Sequence, residues 1–255
     1  MWKWFKSKLT AAFTPPAVPS TDVEMGTVES EIDADIVETA GKLAVVEALR
    51  LWSLDIEDPR HTNKTAEAER WREIIDDIVR GSTGAGWGWL DRYKGDGAVG
   101  NTQWCGMFAA KCWSAWTPLD LRKTWFPSTY RLDLWARYED LSDLKHKNPR
   151  PKSGPFRLYA RFDEHAVSTP FEPQAGDILL VGDGRPGYGD HVCLVERYDA
   201  KKRMFYTVEG NGVGRGPKGN RRQGIVRAER PLGAKTGHGY IARRLIRLSP
   251  TDLLP

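Results

Sequence analysis

Along the first half of the chain apolar residues recur every three or four positions, and along the second half they fall into short runs between turn residues. From about Ile36 to Trp52, the positions Val37, Ala40, Ala44, Val45, Ala48, Leu51 and Trp52 share one face of a helix. Glu67 to Val79 repeats the pattern around Trp71, Ile74, Ile75 and Ile78. A glycine-rich stretch from Gly81 to Gly100 follows. Trp104, Phe108, Cys112 and Trp116 then succeed one another at one helical turn until Pro118 stops the run, which predicts a third, mostly buried helix.

After Pro170 the period shortens. Asp177 to Val181, His191 to Tyr198, Met204 to Glu209, Gly224 to Ala228 and Tyr240 to Leu248 are rich in Val, Ile, Leu and Tyr and are bounded by turn residues. They predict an antiparallel sheet, and the fold class is α+β, with N-terminal helices packed on a C-terminal sheet. Residues 120–164 fit neither half: Trp125, Tyr130, Leu134, Trp135 and Tyr138 suggest another helix, and a polar, proline-containing stretch around Lys145 to Pro155 follows. This segment reads as a variable insertion.

The N-terminal end is separate in character. Trp2, Phe5, Leu9 and Phe13 lie at near-helical spacing among Lys3, Lys6 and Lys8, a short basic amphipathic segment that either packs on its own chain or meets a membrane surface. Pro15, Pro16 and Pro19 break it, and residues 15–41 hold seven acids and no Lys or Arg, which reads as a linker. The expected layout is therefore 1–38 as basic segment plus acidic linker, and 39–250 as one domain with the insertion at about 120–164.

With 255 residues, 40% of them hydrophobic, the chain can bury a full core. No stretch approaches the roughly 20 apolar residues of a membrane span. Lys6 and Lys8 interrupt the opening residues where a secretory signal would be apolar. The expectation is synthesis in the cytoplasm without a classical signal, any action outside requiring another route. Three cysteines without a C-x-x-C pair suggest neither a disulfide framework nor a thiolate zinc site.

The net charge of +4 favours an anionic partner. Ten Lys or Arg and one acid, Glu229, lie between Arg215 and Arg247, a basic end that by default is a solvated face and otherwise attracts an anionic wall or membrane surface. Only Tyr240 is aromatic there, so nucleic acid is not an expected partner. Asp91 and Asp96 flank a glycine-containing loop but lack the pattern of a full calcium loop, and His61, His146, His165 and His238 carry no metal-ligand motif. Neither metal nor cofactor is expected. Gly210 to Gly216 lacks the Lys-Ser/Thr of a phosphate loop and reads as a mobile loop.

Chemistry points to Cys105. A thiol attacks an amide as thiolate, and the first turn of a helix stabilises that anion through its dipole and unpaired N–H groups. The thiol also needs a base whose other ring nitrogen is held by an acceptor. His191 opens a strand after the turn Gly187 to Asp190, and period two points Glu209 and Asn211 of the next strand to one face that can meet its imidazole. Cys112 lies within the apolar stripe and reads as core. Cys193 shares a strand face with His191, but side chains two apart on a strand lie on the order of 6 to 7 Å apart, which favours core packing.

Four blocks, Gln103-Trp104-Cys105-Gly106-Met107-Phe108, Pro173-Gln174-Ala175-Gly176-Asp177-Ile178-Leu179-Leu180, Asp190-His191-Val192-Cys193-Leu194-Val195 and Val208-Glu209-Gly210-Asn211, resemble in order and spacing those of CHAP amidohydrolase/peptidase domains. These domains belong with the papain-like cysteine hydrolases. The resemblance covers about Leu43 to Leu248. It implies a papain-like fold, Cys105 as nucleophile, His191 as general base and then acid, and Glu209 as the orienting carboxylate, with Asn211 supporting or sharing that role. The N–H of Cys105 is the natural first oxyanion donor, and Gln103 is a candidate for the second.

The implied substrate is bacterial peptidoglycan, cleaved as an amidase or endopeptidase through a thioester, as in a lysin or wall-remodelling enzyme, with a delivery or immunity protein as further partner. The long segment at 120–164 and the lack of an evident wall-binding repeat depart from a minimal domain of this kind. Two alternatives stay open: a cysteine protease or deamidase acting on protein, and a non-catalytic wall-binding or structural module.

Overall fold

Apolar periodicity becomes three helices, α1 (Met25–Ser53), α2 (Thr65–Arg80) and α3 (Cys105–Ser114), that precede seven strands. The strands are β1 (Phe156–Asp163), β2 (Ala166–Val167), β3 (Ile178–Gly182), β4 (His191–Asp199), β5 (Met204–Arg215), β6 (Arg221–Pro231) and β7 (Ile241–Leu248). The computed structural model describes residues 25–58, 65–80, 104–116, 156–163, 166–167, 172–182, 191–233 and 241–248. Their sheet has the order β2-β1-β7-β3-β4-β5-β6, with every neighbouring pair antiparallel. The α+β class is as expected. No helix among the described residues is long and apolar enough to cross a membrane.

Alternation along the strands divides the core in two. Ile178, Leu180, Val192, Leu194, Val208 and Ile246 face the helices and join Ala44, Ala48, Trp71, Ile75, Ile78 and Phe108. Leu179, Val181, Cys193, Val195, Phe205 and Leu245 form a second cluster on the opposite face. Each fully buried aliphatic or Phe side chain contributes roughly 1.5–3 kcal/mol of transfer free energy, so the first cluster holds the sheet against the helices. Helix α3 lies on β4 and β5, with α1 and α2 beside it.

Three expectations change. Helix α1 begins at Met25, so residues 25–38 are helical rather than linker. Acidic residues are compatible with the N-terminal half of a long helix, and after Pro19 no proline interrupts it. The end of the supposed insertion is also part of the sheet, because β1 pairs with β7 through Phe156↔Leu248 to Arg161↔Arg244. The amphipathic segment at 1–14 and the helix expected around Trp125 to Tyr138 lie outside the described residues.

The glycine run after Glu209 is strand rather than loop. β5 continues to Arg215 and pairs with β6 at Gly212↔Gly224, Val213↔Gln223 and Gly214↔Arg222. Gly210 is required by packing: a Cβ there would lie 2.4 Å from Phe108 Cβ and 2.7 Å from Trp104 Cζ3, so strand and helix approach as only glycine permits. Gly210→Ala is expected to destabilise the fold by about 1–3 kcal/mol, as overpacking does. Urea unfolding checks this, and unchanged stability would mean that α3 is not seated on β5 so closely.

The segment after α1 is tied to the free side of β6. Asp55, with φ 60°, ends the helix, and its carboxylate pairs with Arg222 and, at 2.8 Å, with Lys218. Ile56 then accepts from the Ile225 N–H at 3.1 Å, and the Asp58 N–H donates to Gln223 O at 2.8 Å, forming a bridge between Glu57 and Gly224.

Candidate active site

Cys105 is the first residue of α3, whose opening bond runs from the Phe108 N–H to Trp104 O at 2.9 Å. Trp104 provides no side-chain cap, and the first amides of a helix have no intrahelical acceptor. Cys105 is 2% exposed. Burial alone would push its pKa up, but the His191 charge, a hydrogen bond from the imidazole and the N–H groups of Val192 and Gly106 outweigh burial and bring the thiol below its ordinary value. The Trp104 indole N–H is buried without an acceptor among the described residues.

His191 opens β4, and the antiparallel pairing Leu194↔Val208 brings β5 beside it. Its Nε2 lies 2.9 Å from Glu209 Oε2. Burial pulls the imidazole pKa down, yet the facing Cys105 thiolate and hydrogen bonds with both neighbouring sulfurs raise it well above the ordinary histidine value. The opposite shifts of Cys105 and His191 favour a thiolate–imidazolium pair over two neutral groups.

Glu209 is fully buried and saturated with donors. Thr207 Oγ1 donates to Oε1 at 2.5 Å, Arg230 Nε donates to Oε1 at 2.8 Å, and Arg230 Nη2 donates to Oε2 at 2.5 Å. Burial would raise this carboxyl, but the Arg230 charge and the His191 hydrogen bond hold it well below the usual carboxylate range. An ionised carboxylate only accepts, so Nε2 of His191 carries a proton and Nδ1 is the nitrogen left for proton exchange with sulfur.

Asn211 has φ 54° and sits where the β5–β6 register shifts between Glu209 and Gly212, which interrupts the alternation expected to keep it on Glu209's face. Its Oδ1 accepts from Gln223 Nε2 at 3.4 Å. Gln103, Asp91, Asp96, His61, His146, His165, His238 and the turn before His191 lie outside the described residues. Cys112 is buried in the core as expected, its thiol raised well above the ordinary value by burial first.

Two surroundings of the site were not visible in the sequence. Arg230, expected in a solvated basic face, is 4% exposed and pairs with Glu209; Arg222 is buried as well, against Asp55. Cys193 is closer than its backbone spacing implies: its sulfur, a His191 ring nitrogen and a Glu209 oxygen lie within 4.8 Å of one another. Strand spacing separates Cβ atoms, but long side chains lean together beyond them. Burial pushes the Cys193 thiol up to about 11, so it stays protonated.

These three groups offer metal-ligand atoms, but the four hydrogen bonds on Glu209 occupy its acceptor positions. A cation would have to displace the Arg230 fork, so the residues fit a proton-handling network better than a metal site. In comparisons with known proteins, no family model, curated protein or solved structure matches the chain.

Proposed function

We propose that the chain is a cysteine-dependent amide hydrolase of the papain-like, CHAP-like kind, acting on the peptides of bacterial cell-wall peptidoglycan. The observation that carries the reading is the single line of contacts from Cys105 at a helix N-terminus through His191 to the ionised, buried Glu209. Nucleophile, base and orienting carboxylate then come from α3, β4 and β5 in the chain order of the four sequence blocks, which supports the papain-like assignment. The substrate class rests on the resemblance of those blocks.

In the proposed reaction the Cys105 thiolate attacks the amide carbonyl carbon while the carbonyl π pair moves to oxygen. The backbone N–H of Cys105, at the positive end of α3, donates to that oxyanion. Collapse breaks the C–N bond, and the imidazolium of His191 gives its Nδ1 proton to the departing amine. Nδ1 then accepts a proton from water, whose oxygen attacks the thioester carbon; collapse breaks the C–S bond, sulfur keeps the electron pair as thiolate beside the imidazolium, and the product leaves as a carboxylic acid that ionises to solvent. Glu209 holds the ring throughout by accepting from Nε2. Acting on peptidoglycan requires passage out of the cytoplasm, so a delivery protein is the proposed partner.

Incubating purified peptidoglycan with the protein, untreated or first alkylated with iodoacetamide, tests the reading. Soluble fragments from the untreated protein alone are expected, and mass spectrometry of their new termini names the bond. No release from peptidoglycan together with cleavage of protein substrates would transfer the same chemistry to a protein target. No alkylation-sensitive cleavage of either would leave a non-catalytic module.

A further inference from the structure

We infer that Arg230 is a positioning residue, whose guanidinium holds Glu209 in the orientation in which that carboxylate fixes the His191 tautomer facing Cys105. The inference rests on the Cys105–His191–Glu209 reading of the site and is independent of which amide is cut.

The fork is planar and bidentate, one N–H to each oxygen at 2.8 and 2.5 Å, between side chains that are 5% and 0% exposed. With Thr207 on Oε1, it leaves one open direction on the carboxylate, toward His191 Nε2. Arg230 pairs with Phe205, four residues before Glu209 on β5, so its side chain runs along the sheet to reach the carboxylate. A shorter or unforked cation at the same place would bring charge without aligning both oxygens.

Removing the guanidinium would leave a carboxyl group buried beside His191. Burial favours its neutral form. A protonated carboxyl donates as well as accepts, so it can hand a hydrogen bond to Nε2 and shift the imidazole proton to Nδ1. Nδ1 would then have no lone pair for the Cys105 proton. Among the described residues, the titratable groups facing this imidazole are Cys105 from α3, Cys193 from β4 and Glu209 from β5, and Arg230 from β6 lies behind them on Glu209 and Cys193. Cys193 bonds to both His191 and Arg230, and as a neutral thiol it cannot replace the carboxylate's charge.

The test is the rate of Cys105 alkylation by iodoacetamide across the pH range, read by mass spectrometry on the full chain with thermal melts alongside. Wild type is expected to show a midpoint below that of an ordinary thiol. Arg230→Met should move it up by about one pH unit or more, and Arg230→Lys should restore part of the difference. Glu209→Gln and the double variant Glu209→Gln/Arg230→Met should share one midpoint, because Arg230 acts through Glu209.

If Arg230→Met does not fold, the Lys variant and the comparison of Glu209→Gln with the double variant decide. A wild-type midpoint in Arg230→Met, or in Arg230→Lys where Met fails to fold, overturns the inference. A double variant shifted beyond Glu209→Gln also overturns it. An ordinary thiol midpoint in wild type sinks the underlying pair as well, and a depressed, Arg230-dependent midpoint without amide cleavage sinks only the hydrolase reading.

Discussion

If the proposed mechanism holds, Cys105→Ala is expected to lower amide hydrolysis by roughly 10³-fold or more, with little change in stability, because it removes the proposed attacking atom and leaves its surroundings in place. The same substitution should abolish alkylation by iodoacetamide near neutral pH. Wild type should take up one equivalent there: burial raises Cys112 well above the ordinary value, and Cys193 stands at about 11. Two modified thiols at neutral pH would show that Cys105 is not singled out by its environment. Cys105 is 2% exposed, so the absolute alkylation rate also reports how readily the reagent reaches its thiol.

The pH dependence has a sign. The lowered thiol and raised imidazole favour the thiolate–imidazolium pair, which is the active form in the proposed mechanism. Turnover should fall on the acid side as sulfur is protonated, below the ordinary thiol pKa. It should fall on the alkaline side as His191 deprotonates, above the ordinary histidine value of about 6.5. A thiol acting without this base would instead gain rate through its own alkaline ionisation and show no descending limb.

Glu209→Ala has the second large expected effect. It leaves the Arg230 guanidinium buried without its carboxylate and His191 without its acceptor, a loss of about 3–5 kcal/mol typical of breaking a buried pair from one side. Urea unfolding near pH 7 measures it. Because the folded carboxyl lies below its unfolded pKa of about 4.3, its contribution is fully present above that value and is lost as the pH falls through the folded one. Glu209→Gln should therefore flatten the acid side of the stability profile. Retained wild-type stability in Glu209→Ala would mean that Arg230 and His191 find other partners.

Much of this could be read from periodicity. The stripe Trp104, Phe108, Cys112, Trp116 became α3, and the short runs beginning at Asp177 became β3 to β7, because burial on one face imposes the same spacing on sequence and structure. Cys105 and His191 were legible because each starts such an element, and Glu209 because it ends an apolar run, although its strand continues beyond it. Arg230 and Thr207 were not: the fork depends on how β5 and β6 are registered, and a strand sequence does not state its partner's offset.

β1 was missed for a related reason. Phe156-Arg157-Leu158-Tyr159-Ala160-Arg161 carries two arginines and follows a polar stretch, and its partner β7 lies far along the chain. The glycines after Glu209 misled in the other direction. Their lack of side chains reads as looseness, whereas at Gly210 it lets Phe108 and Trp104 press against the backbone.

The tie between residues 56–58 and β6 also bears on solubility. β6 ends the sheet, and the outer row of amides and carbonyls on a terminal strand is a template onto which another extended peptide can add. Asp58 and Ile56 occupy that row at Gln223 and Ile225, and Gly224, at φ 150°, lets the Ile56 carbonyl approach where a Cβ would lie 2.4 Å from it. The chain thereby supplies its own partner for that stretch of the terminal strand, and the same few residues that follow α1 close part of one edge of the sheet.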